Sequence, residues 1–155
     1  MGNRYRLIGA AAVFLSMAAW AASSEEEAVR KVLDAYRAAM EHRSVSELAA
    51  VVSEDLLVLE GVHKNDGWAD YRDNHIGPEM AEWKEFRTAG SRLSKLEVGS
   101  DLAYAVQEAT FTIVDGKGPV VLLGAETIVL GKEPKGWKIR HLHLSVKRVS
   151  PAKKP

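Results

Sequence analysis

The chain has 155 residues with 21 basic and 21 acidic side chains, and it contains no cysteine. The lack of cysteine excludes a disulfide framework and a thiolate site. The balanced charge gives no electrostatic reason to expect nucleic acid as a partner. The length is enough for one hydrophobic core and too short for two.

The first 21 residues have the three parts of a secretory signal peptide. Residues 3–6 are basic, residues 7–20 are apolar, and Ala19-Trp20-Ala21 is a small-x-small cleavage site. The apolar run is shorter than the roughly 20 residues that a spanning helix needs, which disfavours the alternative of a membrane anchor. We therefore expect residues 1–21 to be removed, leaving residues 22–155 as a single periplasmic or secreted domain without a stable membrane anchor.

The first half of this domain has the patterns of helices. Ser24 and Glu27 form a capping box before apolar residues at helical spacing, which predicts a helix to about His42. A second, short helix is expected from about residue 46, and residues 55–63 are typical of a strand. A third helix should begin at Trp68 and break at Gly77-Pro78, because proline has no amide hydrogen to donate. Pro78 should then start a fresh helical turn as its first residue.

The second half has the patterns of strands separated by turns. Strands are expected at residues 91–98, 102–114, 120–130 and 136–146. Helices that come first and antiparallel strands that come last predict an α+β domain, with about three helices covering one face of a curved antiparallel sheet. Strict alternation in the last strand predicts two apolar anchors and two histidines on one face: Trp137, Ile139, His141 and His143.

Three features of the chain resemble the SnoaL-like branch of the nuclear transport factor 2-like superfamily, over residues 25–149. They are the first amphipathic helix, the short helix before residue 55, and the closing pattern Gly-Trp-Lys-Ile-x-x-x-His-x-Ser at residues 136–145. The resemblance implies a cone-shaped pocket between the sheet and three helices, and often a homodimer through the outer face of the sheet. The superfamily includes isomerases, dehydratases, polyketide cyclases and non-catalytic binding proteins, so the fold alone does not choose a function.

Histidines are the first candidates for the site. The resemblance assigns the face of His141 to the pocket, and we expect Trp68, Tyr71 and His141 to contact a ligand. His63, His75 and His143 are predicted to converge and could hold zinc or copper, because neutral imidazole suits both metals. No tight metal-binding motif is present, and the alternative is a set of hydrogen-bonded histidines without a metal.

Carboxylates are the rival candidates. One of Glu60, Asp70, Asp73, Glu79, Glu108 and Glu126 could act as a general acid or base if it were buried with a raised pKa. Three functions therefore remain open. The first is an exported domain that binds a small molecule or a metal ion. The others are an isomerase, dehydratase or cyclase, and a protein-interaction module.

The signal peptide gives the first testable prediction. Protein expressed from the full sequence should be recovered from the periplasm or medium as a chain that starts at Ala22, as measured by intact mass spectrometry. An intact Met1 terminus in the membrane fraction would contradict cleavage after Ala21.

Overall fold

The computed structural model describes residues 8–149, with side chains from Ser24 onward. The predicted signal peptide lies outside the described residues at positions 1–7, and positions 8–21 are described only as helical backbone. In the described part of the chain, no helix is both long and apolar enough to cross a membrane.

Two helices open the structure. Helix α1 spans Ile8–His42 without interruption, so in the full chain it begins well before the predicted start at Ser24. The preceding residues continue the helix, and the amides near Ser24 therefore need no cap. Helix α2, Val45–Val51, begins as predicted, and the Ser44 Oγ accepts a hydrogen bond of 3.2 Å from the amide of Glu47.

The next helical stretch has three parts: α3 at Trp68–Tyr71, a π-helical turn at Arg72–Ile76, and α4 at Gly77–Glu82. The predicted break at Gly77-Pro78 does not occur, but Pro78 does open a new helical segment, α4, as predicted. The Gly77 amide donates to the carbonyl of Arg72, five residues back, and Pro78 lies in the first turn of α4, where no amide donor is needed. A Cβ atom at position 77 would lie 2.2 Å from the Arg72 carbonyl oxygen, so only glycine fits this turn.

Within residues 8–149, six strands form one sheet in the order β2-β1-β6-β5-β4-β3. Their bounds are β1 Val52–Glu60, β2 His63–Asp66, β3 Glu85–Val98, β4 Leu102–Asp115, β5 Gly118–Glu133 and β6 Gly136–Arg148. The β1–β6 pair is parallel, and the other pairs are antiparallel. The predicted α+β fold is thus confirmed, with one parallel pair that the antiparallel prediction lacked.

The hydrophobic core lies between the helices and one face of the sheet, which is called the inner face below. It joins the apolar stripe of α1 to inward side chains of β4, β5 and β6, among them Val29, Leu33, Ala105, Ile128, Leu130 and Ile139. Trp137 is 5% exposed in this core, and its indole Nε1 donates a 2.8 Å hydrogen bond to Glu25 Oε2 on α1. The last strand and the first helix are therefore tied together.

An extra residue in β6 reverses which side chains face the core. Ile139 pairs with Leu130 of β5, but the next pair is His141 with Val129, so Arg140 has no partner there. This bulge shifts the alternation by one residue. Trp137 and Ile139 face inward before the bulge, whereas Leu142 and Leu144 face inward after it. The prediction that His141 and His143 share a face with Trp137 is therefore wrong.

The predicted strand 55–63 is in fact a hairpin. It turns at Gly61, whose φ of 59° lies in the left-handed region that suits glycine. After the turn, His63 pairs directly with Glu60. The inner-face residues of β1 are Leu56, Val58 and Glu60.

The burial of Trp137 generates a stability prediction. Trp137→Ala should lower the free energy of unfolding by about 3–5 kcal/mol, because it empties a packed site in the core. Trp137→Phe should cost clearly less, since an aromatic ring remains in the site while the bond to Glu25 is lost. Urea unfolding measures both values, and a loss below about 1 kcal/mol for the alanine variant would reject this role.

Candidate active site

A cavity of about 80 Å³ lies between the inner face of the sheet and the helices. A site needs about 10–15 Å³ of such volume to hold one water molecule, so the cavity admits on the order of five to eight water-sized groups. Most of its wall is apolar. The polar exceptions are three glutamates, two tyrosines and a few further side chains: Glu60, Glu79, Glu126, Tyr36, Tyr71, Arg37, Gln107, Thr88 and Ser91.

The floor of the cavity is a row of side chains in register across four strands. Gln107 of β4 pairs with Glu126 of β5, which pairs with Leu144 of β6, which pairs with Glu60 of β1. Residues directly opposite each other point to the same face, so all four side chains face inward. Glu126 and Glu60 are two strand spacings apart, or roughly 9–10 Å between backbones.

Glu126 is the most buried acid of this row. Glu126 is 6% exposed, and both oxygens of its carboxyl accept hydrogen bonds. Oε1 accepts from the Tyr36 hydroxyl at 3.1 Å, and Oε2 accepts from Gln107 Nε2 at 2.6 Å. Burial raises the pKa of Glu126, the two donors oppose that rise, and the nearby charge of Glu60 adds to it.

Two tyrosines contribute hydroxyl groups from the helical side of the cavity. Tyr36 and Tyr71 are each 6% exposed. Burial, together with the negative charge of neighbouring glutamates, raises the pKa of both phenols further above their ordinary range. Both phenols therefore stay protonated near neutral pH and can act as hydrogen-bond donors.

At one edge of the cavity, His75 faces two carboxylates. Its Nε2 lies 3.2 Å from Glu60 Oε2 and 3.7 Å from Glu79 Oε1. Burial raises the pKa of Glu79, and the charge of Glu60 raises it further, while His75 opposes the rise. Glu60 and Glu79 line both the cavity and a surface recess beside His63, so they stand between the interior and solvent.

The orientation of the His75 ring is fixed from behind by Asn65, which is 2% exposed. Asn65 Nδ2 donates to Asp70 Oδ2 at 3.1 Å, and Asn65 Oδ1 lies 2.7 Å from His75 Nδ1. An ionised aspartate can only accept, so the amide oxygen must face His75, and Nδ1 must carry a hydrogen. Nε2 is thereby turned towards Glu60 Oε2, 3.2 Å away.

Aromatic rings form the opposite end of the cavity. Trp83 and Phe86 are stacked with centroids 5.1 Å apart, and Phe86 lies 5.7 Å from Phe111. Phe111 packs over Gly124, where a Cβ atom would come within 2.2 Å of the ring. Glycine at position 124 therefore lets Phe111 lie flat against the sheet and leaves the cavity open.

The structure places the predicted ligand contacts in three different environments. Tyr71 lines the cavity. Trp68 is 4% exposed within the core, beside Tyr71 at a centroid distance of 6.3 Å. His141 lies on the outer face, where its Nδ1 is 3.1 Å from the Leu57 carbonyl oxygen.

The predicted metal ligands do not converge as a set of three. His63 and His75 are in contact, with ring centroids 5.1 Å apart. His143 pairs with Leu59 and Thr127, so it lies on the outer face with His141 and away from Glu60 and His63. Within residues 24–149, no group of three or more histidine, cysteine, aspartate or glutamate side chains has the geometry of a metal site. His143 lies apart from His63 and His75 because the bulge at Arg140 turns it to the outer face.

Glu126 is one of the six carboxylates that the sequence offers as equivalent candidates. The structure separates it from Glu108, which is solvent-facing and bonded to Arg92 at 2.6 Å. A usable signal was present, because Glu126 alternates with Ile128 and Leu130, two core residues of the same strand. Gln107 alternates in the same way with the buried residues Ala105 and Ala109 of β4, but it was not among the candidates.

The SnoaL-like domain model matches residues 29–148. The match covers most of the chain, and the protein therefore belongs to the family of SnoaL-like domains. No curated protein is significantly similar to it in sequence.

Solved structures share this fold at low sequence identity. A nuclear transport factor 2-like protein from Salmonella enterica serovar Typhimurium is 18% identical, with a TM-score of 0.72 over 86% of this chain and 98% of that chain. A proposed ketosteroid isomerase from Shewanella frigidimarina is 21% identical, with a TM-score of 0.67 over 76% and 94%. The hexachlorocyclohexane dehydrochlorinase LinA-type3 from Novosphingobium barchaimii is 16% identical, with a TM-score of 0.64 over 90% and 94%. At these identities the likeness establishes the fold alone.

The raised pKa of Glu126 generates a prediction about stability and pH. The folded state binds the Glu126 proton more tightly than the unfolded state, so this carboxyl contributes stability at low pH that is lost as pH rises through the folded pKa. Glu126→Gln cannot lose that contribution. Its free energy of unfolding, relative to wild type, should therefore increase from about pH 4.5 upward and level off above the folded pKa.

Urea unfolding at a series of pH values measures this difference. Glu108→Gln is the matched control, because Glu108 lies on the neighbouring strand with a side chain that is 49% exposed. A Glu126→Gln difference that is flat or falls with pH would contradict the burial effect.

Proposed function

We propose that the protein is an enzyme that moves a proton on a small molecule, in an isomerisation or an elimination of water. The observation that carries this proposal is Glu126, a carboxyl that is 6% exposed yet faces a largely apolar cavity beside a tyrosine hydroxyl. Burying a carboxyl in such surroundings is costly for stability, and strongly perturbed acids in cavities are typical of catalytic sites.

Glu126 has the environment of a general acid–base residue. A carboxyl with a raised pKa exchanges its proton closer to neutral pH than an ordinary glutamate does. Tyr36 stays protonated, and its single O–H, which donates to Glu126 in the structure, can turn to a bound carbonyl oxygen and stabilise the negative charge that develops there. The same pair can therefore hold a carbonyl compound and transfer a proton at the carbon next to it.

Glu60 supplies the second carboxyl on the cavity floor. It lies two strands from Glu126, with Leu144 between them. Its Oε2 is 3.2 Å from His75 Nε2. Two carboxyls in different environments suit two roles, one giving a proton and the other taking it. A proton removed at one end of a substrate can thus be replaced at the other end, or water can leave.

A second function, binding without turnover, is favoured by one observation. Both oxygens of Glu126 already have partners within the protein, Tyr36 and Gln107. A carboxyl that is satisfied in this way could simply orient a ligand. The experiment below distinguishes the two functions by turnover.

Two probe reactions of suitable size give the same product. Isomerisation of 3-cyclohexen-1-one and dehydration of 3-hydroxycyclohexanone both yield 2-cyclohexen-1-one, whose conjugated carbonyl is followed by ultraviolet absorbance. We expect wild-type protein to accelerate at least one reaction, and Glu126→Gln to lower that rate by about 100-fold, the usual contribution of one general acid–base residue.

Glu108→Gln should retain the wild-type rate, because this glutamate lies on the solvent side of the adjacent strand. Saturable binding of 2-cyclohexen-1-one without formation of product from either probe would favour the binding function. A rate that is equal in wild type and Glu126→Gln would contradict the proposed role of Glu126.

A further inference from the structure

We propose that the cavity selects a small organic cation, a protonated amine attached to an apolar or aromatic group. This inference deepens the proposed function by naming a class of ligand, and it rests on the same cavity. It concerns binding alone, so it can succeed or fail independently of turnover.

The charges that line the cavity are predominantly negative. Among the side chains that the structure describes, three carboxyls line it, Glu60, Glu79 and Glu126, against one cation, Arg37. Arg37 is already bonded to Asp34 at 2.6 Å, and its side chain is 41% exposed. A bound cation would therefore meet an excess of negative charge, whereas a bound anion would be repelled.

The partners of these acids do not remove the excess. The hydrogen bonds of Glu126 within residues 24–149 come from neutral donors, the Tyr36 hydroxyl and the Gln107 amide. His75 can supply one positive charge, which is shared between Glu60 and Glu79. Even if His75 is charged, it balances only one of the three carboxyls, so the equivalent of two carboxyls is left without a positive partner from His75. A bound cation would favour the ionised forms of these carboxyls.

The aromatic wall favours the same class of ligand. The rings of Trp83, Phe86 and Phe111 line one end of the cavity, and Tyr71 lines the helical side. A cation over an aromatic face is attracted by the ring, and an apolar group packs against it. Anions gain neither the carboxyl contacts nor this attraction.

Size sets a further limit on the ligand. The cavity of about 80 Å³ admits on the order of five to eight water-sized groups. Benzylammonium, with a phenyl ring and one ammonium group, matches this size and chemistry. Benzyl alcohol and benzoate have nearly the same shape and carry a neutral and a negative group, so the three compounds separate charge from shape.

The experiment is a titration of the full chain with each of the three compounds, followed by protein NMR. Wild-type protein should bind benzylammonium about tenfold more tightly than benzyl alcohol, and benzoate most weakly. Glu60→Gln and Glu126→Gln should each reduce the ratio of ammonium to alcohol affinity while the affinity for the alcohol persists. Glu108→Gln, on the outer face, should keep the wild-type ratio.

The readout is the ratio of ammonium to alcohol affinity within one protein. A variant that fails to fold is recognised because it also loses alcohol binding. In that case the affinity ratio of the other glutamine variant tests the proposal. Alcohol binding as tight as ammonium binding would overturn the proposal. So would an ammonium preference that survives in Glu60→Gln and Glu126→Gln, or the absence of binding by all three compounds at millimolar concentration. Ammonium binding without turnover of the cyclohexenone probes would support the proposal and count against the enzymatic function.

Discussion

The extra residue at Arg140 in β6 is the constraint on which the site depends. It leaves Arg140 without a partner on β5, and the Arg140 side chain packs over Gly131 and bonds to Asp55. From this point on, the inward side chains of β6 are Leu142 and Leu144 rather than two histidines. The floor between Glu126 and Glu60 is thereby apolar, and a small molecule can lie across it.

Placing two carboxyls on an apolar floor lowers the free energy of unfolding of a domain that has no disulfide to stabilise it. The structure reduces that cost with hydrogen bonds from Tyr36 and Gln107 to Glu126, and with His75 beside Glu60. Every buried side-chain oxygen or nitrogen in the described part of the chain has a partner. The polar row is therefore held in one geometry, as a site that binds or reacts with a small molecule requires.

Local sequence patterns predicted the helices and strands better than they predicted which face of the sheet each side chain occupies. The α+β class, the start of α2 at its Ser44 cap and the four late strands follow from short-range chemistry, and the structure confirms them. The predicted start of β3 is wrong, because this strand begins at Glu85 rather than at residue 91. The facing of His141 and His143 depends on one bulge, and a one-residue shift moves every later side chain to the other face. The helix continues through Gly77-Pro78 because the π-helical turn places Pro78 in the first turn of α4, where no amide donor is needed. Glu126 could have been recognised from its alternation with Ile128 and Leu130, whereas no local pattern pairs it with Tyr36, 90 residues away.

The central claim is that Glu126 and Glu60 act on the same small cavity, and carbon-13 NMR titration of the Glu126 carboxyl tests it most directly. In wild-type protein this carboxyl should titrate above the ordinary value of 4.5, because burial and the charge of Glu60 both raise its pKa. In Glu60→Gln the pKa of Glu126 should fall towards the ordinary value but stay above it. An ordinary pKa in wild-type protein, or a pKa that does not change in Glu60→Gln, would contradict a shared site.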